Sequence, residues 1–103
     1  MEVDKELRSL VAAVEGRRLG PAGKSFHLHQ LDGERLEAMV YLDPMGARVD
    51  WVHGKGDCAI TGEGEAMLAL LRGEGDAGLL AHQGRLTLYG DLALVQRAPE
   101  VFR

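Results

Sequence analysis

The chain is short of most residues that small proteins use for covalent or redox chemistry. Among 103 residues there is one cysteine, Cys58. No internal disulfide framework is possible, and the lone thiol fits a reducing compartment. Serine occurs only at Ser9 and Ser25, neither in a Gly-x-Ser-x-Gly turn. Aromatic residues make up 5% of the chain, so the core has to be aliphatic. No apolar run approaches the ~20 residues of a membrane span, and no stable membrane insertion is expected. Basic excess is missing too. The net charge of -4 argues against a nucleic-acid binder and against docking on anionic membranes. The first ten residues are charged and alternating, unlike a signal peptide, and the final Val-Phe-Arg is not a peroxisomal address. A cytoplasmic protein is the expectation.

What is present is ordinary globular material, 46% hydrophobic and 27% charged, of a length that fits a single domain over 1–103. Residues 2–15 read as an amphipathic helix with Val3, Leu7, Leu10, Val11 and Val14 on its apolar stripe and Gly16 as its stop. Residues 24–30 alternate as a strand, with Phe26 and Leu28 on one side and His27 and His29 on the other. Asp32-Gly33 signals a hairpin. A second strand over 34–43 puts Leu36, Ala38, Val40 and Leu42 on one face and Glu37, Met39 and Tyr41 on the other. After the 43–46 turn, Ala47, Val49 and Trp51 alternate in a third strand.

Residues 57–90 organise the rest. A short strand at 57–61 carries Cys58 and Ile60 on one face. A helix over 63–72 places Ala66, Met67, Leu70 and Leu71 on one side, and Gly73 ends it. Leu79, Leu80 and Ala81 form an apolar patch before Gly84. A strand at 85–89 follows, with Leu86 and Leu88 on one face. Asp91 caps a last helical stretch over 92–103, which Pro99 interrupts or restarts. The Asp-Cys-x-Ile-Thr strand (Asp57, Cys58, Ile60, Thr61), the Leu-Ala-Leu-Leu-x-Gly helix end (68–73) and the Gln-Gly-Arg-Leu-x-Leu-x-Gly-Asp strand (83–91) together resemble the sterol carrier protein 2 family.

The resemblance implies an α+β (mixed α/β) fold. A five-stranded mixed sheet is covered on one face by helices, in the order α-β-β-β-(crossover)-β-α-β-α. It implies that residues 52–56 carry the chain across to the far side of the first strand. A hairpin over Gly54-Lys55-Gly56 is the alternative. It also implies binding or transfer of a lipid or fatty-acyl ligand, without catalysis, in an apolar tunnel between sheet and helices. In the family's arrangement Phe26, Leu28, Met67, Leu70, Leu71, Leu79, Leu80, Leu88, Val95 and Phe102 converge there. These residues are the ligand-binding candidates, although periodicity cannot tell a filled core from one with a hole. The other reading is an accessory protein-interaction module of the same fold with a filled core, one that could present lipid to an enzyme partner. An oligomer is left open.

Other constellations carry less. Gly73-x-Gly75-x-x-Gly78 matches a dinucleotide fingerprint as text, but it follows a helix, and Glu74 and Asp76 would repel a pyrophosphate. His27 and His29 share a strand face, with His53, Cys58 and His82 the only other soft ligands. Nothing local converges four of them, so the histidines are expected to face solvent and no metal site or cofactor is expected. Cys58, between aspartate and alanine in a core strand, reads as packing, and no catalytic residue is assigned. A void is costly in so small a domain. At ~24 cal/mol per Å³, a cavity of about 300 Å³ costs about 7 kcal/mol against a total stability of ~5–15 kcal/mol. The expectation is therefore a small pocket, one collapsed in the free protein, or a co-purified ligand.

Overall fold

A computed structural model describes residues 2–103. The elements are α1 (Glu2–Ala12), β1 (Ser25–Gln30), β2 (Glu37–Tyr41), β3 (Arg48–Asp50), β4 (Cys58–Gly62), α2 (Gly64–Arg72), α3 (Ala77–His82), β5 (Leu86–Gly90), α4 (Leu92–Gln96) and α5 (Ala98–Phe102). One five-stranded sheet runs β3-β2-β1-β4-β5. The β1–β4 pair is parallel and the other three pairs are antiparallel. This is the mixed sheet that the family resemblance implies. Alternation along the strands sorts the two faces. Phe26, Leu28, Ala38, Val40, Cys58, Ile60 and Leu86 join the buried cluster with the helices, while His27, Glu37, Met39 and Tyr41 lie on the back.

The helices cover the front face because each brings an apolar side. In α2, Ala66, Met67, Leu68, Leu70 and Leu71 are all buried. A fully buried Leu or Met side chain contributes roughly 1.5–3 kcal/mol. Gly73 then takes a left-handed φ of 77° and returns its N–H to Leu70 O, which terminates the helix. Phe26 of β1 meets Phe102 of α5 edge to face, with ring centroids 5.4 Å apart.

Several boundaries differ from expectation for local reasons. Helix α1 stops at Ala12 rather than 15, and the following turn is pulled to the sheet by Gly16 N donating to Ala47 O at 2.7 Å. The second strand starts at Glu37, not 34, because Gly33 and Arg35 adopt positive φ and hold 32–35 in a turn. Residues 77–82, of which the sequence marks only Leu79, Leu80 and Ala81 as an apolar patch, form α3, capped by Asp76 Oδ1 accepting from Leu79 N at 2.9 Å. The last helical stretch divides at Arg97, and Pro99 sits in the first turn of α5, where a missing N–H costs nothing.

The connection from β3 to β4 is the crossover, not a hairpin. It passes over the back of the sheet at very close range. A Cβ on Gly54 would lie 2.8 Å from Met39 Cγ, and one on Gly56 would lie 2.9 Å from both His27 N and Cys58 O. Glycine is needed at 56 for approach to backbone, which is why so short a link can make the passage. Asp57 N donates to Ser25 O at 3.0 Å as the chain arrives beside β1.

Candidate functional site

The sheet–helix interface is closely filled. Its interior opening is a slot of about 10 Å³, lined by Leu7 and Val11 of α1, Leu28, Leu36, Ala38, Met67, Glu37 and Trp51. That holds about one water. Of the outcomes of the void argument, this interior fits a small or a collapsed pocket. Two larger hollows, beside the 43–46 turn and between α1 and Arg72, are open surface depressions and do not lie between sheet and helices.

Of the ten residues expected to converge, Phe26, Leu28, Met67, Leu70, Leu71, Leu80, Val95 and Phe102 are buried in one cluster, and Leu88 packs partly buried against it. Leu79 does not join them; its side of α3 faces solvent, 54% exposed. Only Leu28 and Met67 of the ten line the slot. Leu7, Val11, Leu36 and Ala38 belong to the apolar stripes legible over 2–15 and 34–43, but nothing in their spacing marks them as slot walls. Trp51 was legible only as an alternating strand residue.

Two polar devices frame the slot. The Arg8 guanidinium lies over the ring of Trp51, which lines the slot, 5.1 Å from the centroid, and Arg8 also pairs with Glu34 at 3.6 Å. At the far end of α1 a buried clamp ties the helix down. Gln30 shares the core face of β1 with Phe26 and Leu28, so its amide must be satisfied there. Its Nε2 donates to Asp4 Oδ1 at 2.6 Å and to Asp32 Oδ1 at 3.3 Å, and its Oε1 accepts from Leu36 N at 3.1 Å. Asp32 Oδ1 also accepts from Gly64 N, at the start of α2. The Gln30 hydrogen bond holds the Asp4 carboxyl below its ordinary range, against the opposing effect of burial.

The back face corrects the expectation of solvent-facing histidines at His27, while His53 and His82 are exposed as expected. His27 is only 8% exposed, because the crossover runs over it. Its Nε2 lies 2.6 Å from Glu37 Oε2, and His53 Nδ1 from the crossover lies 2.6 Å from the same oxygen. His29 Nε2 is 3.8 Å from Glu37 Oε1. Burial pushes the Glu37 carboxyl upward, but the hydrogen bonds to His27 and His53 outweigh it and leave the group lowered. Cys58 takes no part. It packs in the core, and burial with the Asp91 and Asp57 charges pushes its thiol up to about 12.

The profile of the SCP-2 sterol transfer family matches residues 2–103. The chain belongs to that family. Solved SCP-2 structures share its fold. The second sterol carrier protein domain of Helicoverpa armigera superposes with a TM-score of 0.70 at 16% identity, covering 99% of this chain and 86% of that one. A structure described as the UbiJ-SCP2 ubiquinone synthesis protein gives 0.65 at 19%, covering 97% and 92%. The Aedes aegypti sterol carrier protein 2 in complex with palmitate gives 0.61 at 14%, covering 97% and 91%. No curated protein matches by sequence. At these identities the likeness establishes the fold alone. For this SCP-2 chain, no described helix is long and apolar enough to cross a membrane.

Proposed function

We propose that this chain is a non-enzymatic carrier that takes up a lipid or fatty-acyl chain between its sheet and helices, acting in the cytoplasm. The observation that carries the reading is the slot between α1, β1, β2 and α2. Apart from Glu37, whose carboxylate turns to His27 and His53 on the back of the sheet, its lining residues are apolar, and the only tryptophan is among them. The palmitate complex of the similarly folded Aedes protein supports the same chemical class. Burial alone supplies the affinity. About ten methylenes at roughly 0.8 kcal/mol each give on the order of 8 kcal/mol, reduced by ordering costs. Selectivity among chains of similar length is then weak. A slot of about 10 Å³ must widen to admit any of them, so helix α1 and Met67 have to shift as the chain enters.

The small slot also favours a second reading: an accessory module with a filled core that binds a protein partner. Titrating delipidated protein with a fluorescent fatty acid separates the two. Saturable uptake of one probe per chain, displaced by palmitate, supports the carrier. A bare mass in native mass spectrometry together with no uptake supports the accessory module.

A further inference from the structure

The back of the sheet, away from the helices, carries a constellation that the carrier reading does not use. His27 stands on β1, Glu37 on β2 and His53 on the crossover, so three separate segments each deliver one donor atom. His27 Nε2, Glu37 Oε2 and His53 Nδ1 lie within 4.8 Å of one another. Four nearby atoms make this more than an ion pair, since His29 Nε2 approaches the other Glu37 oxygen at 3.8 Å. We propose that His27, His53 and Glu37 form a binding site for one divalent first-row transition ion of the zinc type, with His29 or water completing the coordination.

The donor set selects the class of ion. Imidazole nitrogen suits zinc, copper, nickel and cobalt, whereas calcium and magnesium require all-oxygen shells. Two histidines and one glutamate, with an open position, form a familiar ligand set for zinc. The geometry needs shifts of no more than about 1.5 Å between any two donors, which now lie within 4.8 Å of one another. Ligands about 2.0–2.1 Å from a tetrahedral ion are about 3.3 Å apart. The two nitrogens now sit 2.6 Å from the shared carboxylate oxygen, so the oxygen has to retreat by less than about 1 Å from each. The parts able to move are in the right places. The His53 side chain is 79% exposed on a loop and Glu37 is partly exposed, while His27 is fixed by the sheet. An ion would replace the two hydrogen-bond contacts that the rings now make with the carboxylate oxygen. It would also pin the crossover to β1 and β2, adding a tether where the loop depends on glycine contacts.

The test uses tag-free full-length protein, freed of metal by chelator and then titrated with Co²⁺ and Zn²⁺. Expected are one Co²⁺ per chain, a visible d–d band of a four- or five-coordinate site, and its loss on adding one equivalent of Zn²⁺. His53→Ala is the deciding variant because that side chain supports little of the fold. Loss of even a supporting group costs metal sites ~10- to 100-fold in affinity, so this variant should weaken binding at least about tenfold. Glu37→Gln should weaken it likewise, with circular dichroism unchanged, and His82→Ala on exposed α3 should leave it intact. Absence of saturable binding, binding that His53→Ala leaves intact, or binding that His82→Ala removes would each overturn the assignment.

Discussion

The Arg8 guanidinium lies over Trp51, a lining residue of the slot, 5.1 Å from the centre of the indole. Because the chain has one tryptophan, this pair gives the carrier reading its own optical reporter. A lipid chain that threads past Trp51 replaces partial solvent contact, now 39% exposure, with hydrocarbon. Titration with palmitate should shift the emission to shorter wavelength, and a brominated fatty acid should quench it, both saturating at one per chain. Arg8→Ala removes a cation–π contact of about 0.5–1 kcal/mol, and uptake should become faster rather than weaker. Quenching that never saturates would count against a slot-bound chain.

Met67 offers a thermodynamic version of the same question. It is fully buried and lines the slot wall. Met67→Ala should cost about 2–5 kcal/mol in chemical denaturation, since the vacated volume cannot fully collapse. A ligand that occupies that volume stabilises only the folded state, by about 2.7 kcal/mol at a hundred times its dissociation constant. Palmitate should therefore restore much of the loss in the variant. If the core serves only as packing, the same destabilisation should persist at every palmitate concentration.

The contrast between these residues and those legible beforehand has a physical basis. Alternation in β1, β2, β4 and β5 and the 3.6-residue stripe of α2 depend on nearest neighbours, so their faces could be read from spacing alone. The crossover was implied only by the family resemblance, because residue order does not state which edge of β1 the chain reaches. Burial of His27 depended on that passage, and so did the meeting of His27, Glu37 and His53. Leu79 resembled its buried neighbour Leu80 in type, but α3 is a helix of only six residues that buries only one of them. Gln30 looked like an ordinary strand end. Its importance comes from Asp4, 26 residues away, which no local pattern connects to it.

Glycines 54 and 56 should respond differently to the same small change. A Cβ at 56 meets the main chain of β1 and β4 at 2.9 Å, whereas one at 54 meets the flexible Met39 side chain at 2.8 Å. Backbone cannot step aside without disturbing the ladder, but a methionine can rotate. Gly56→Ala should destabilise by about 1–3 kcal/mol and Gly54→Ala by clearly less. Urea midpoints at a common slope provide the comparison. Equal losses would mean that the crossover lies less tightly on the sheet than described.

Asp4 gives the clamp a pH signature. Its folded carboxyl titrates below the ordinary value of 3.8 because Gln30 donates to it, with burial opposing and the Glu34 backbone N–H assisting at 3.3 Å. The unfolded chain then binds the proton more tightly than the folded chain does. The contribution from Asp4 is therefore fully present above about pH 3.8 and is lost as the pH falls through the lower folded value. Asp32 and Glu34 also lie at this end of α1, so the wild type alone cannot assign its acid limb to one group. The difference between wild type and Asp4→Asn can. Asparagine still offers Gln30 an acceptor but has no proton to gain, so the stability gap between the two proteins should narrow on acidification below 3.8. Parallel curves of thermal midpoint against pH would show that the clamp acts through shape rather than charge. In that case the hold of α1 on the slot would be insensitive to acid.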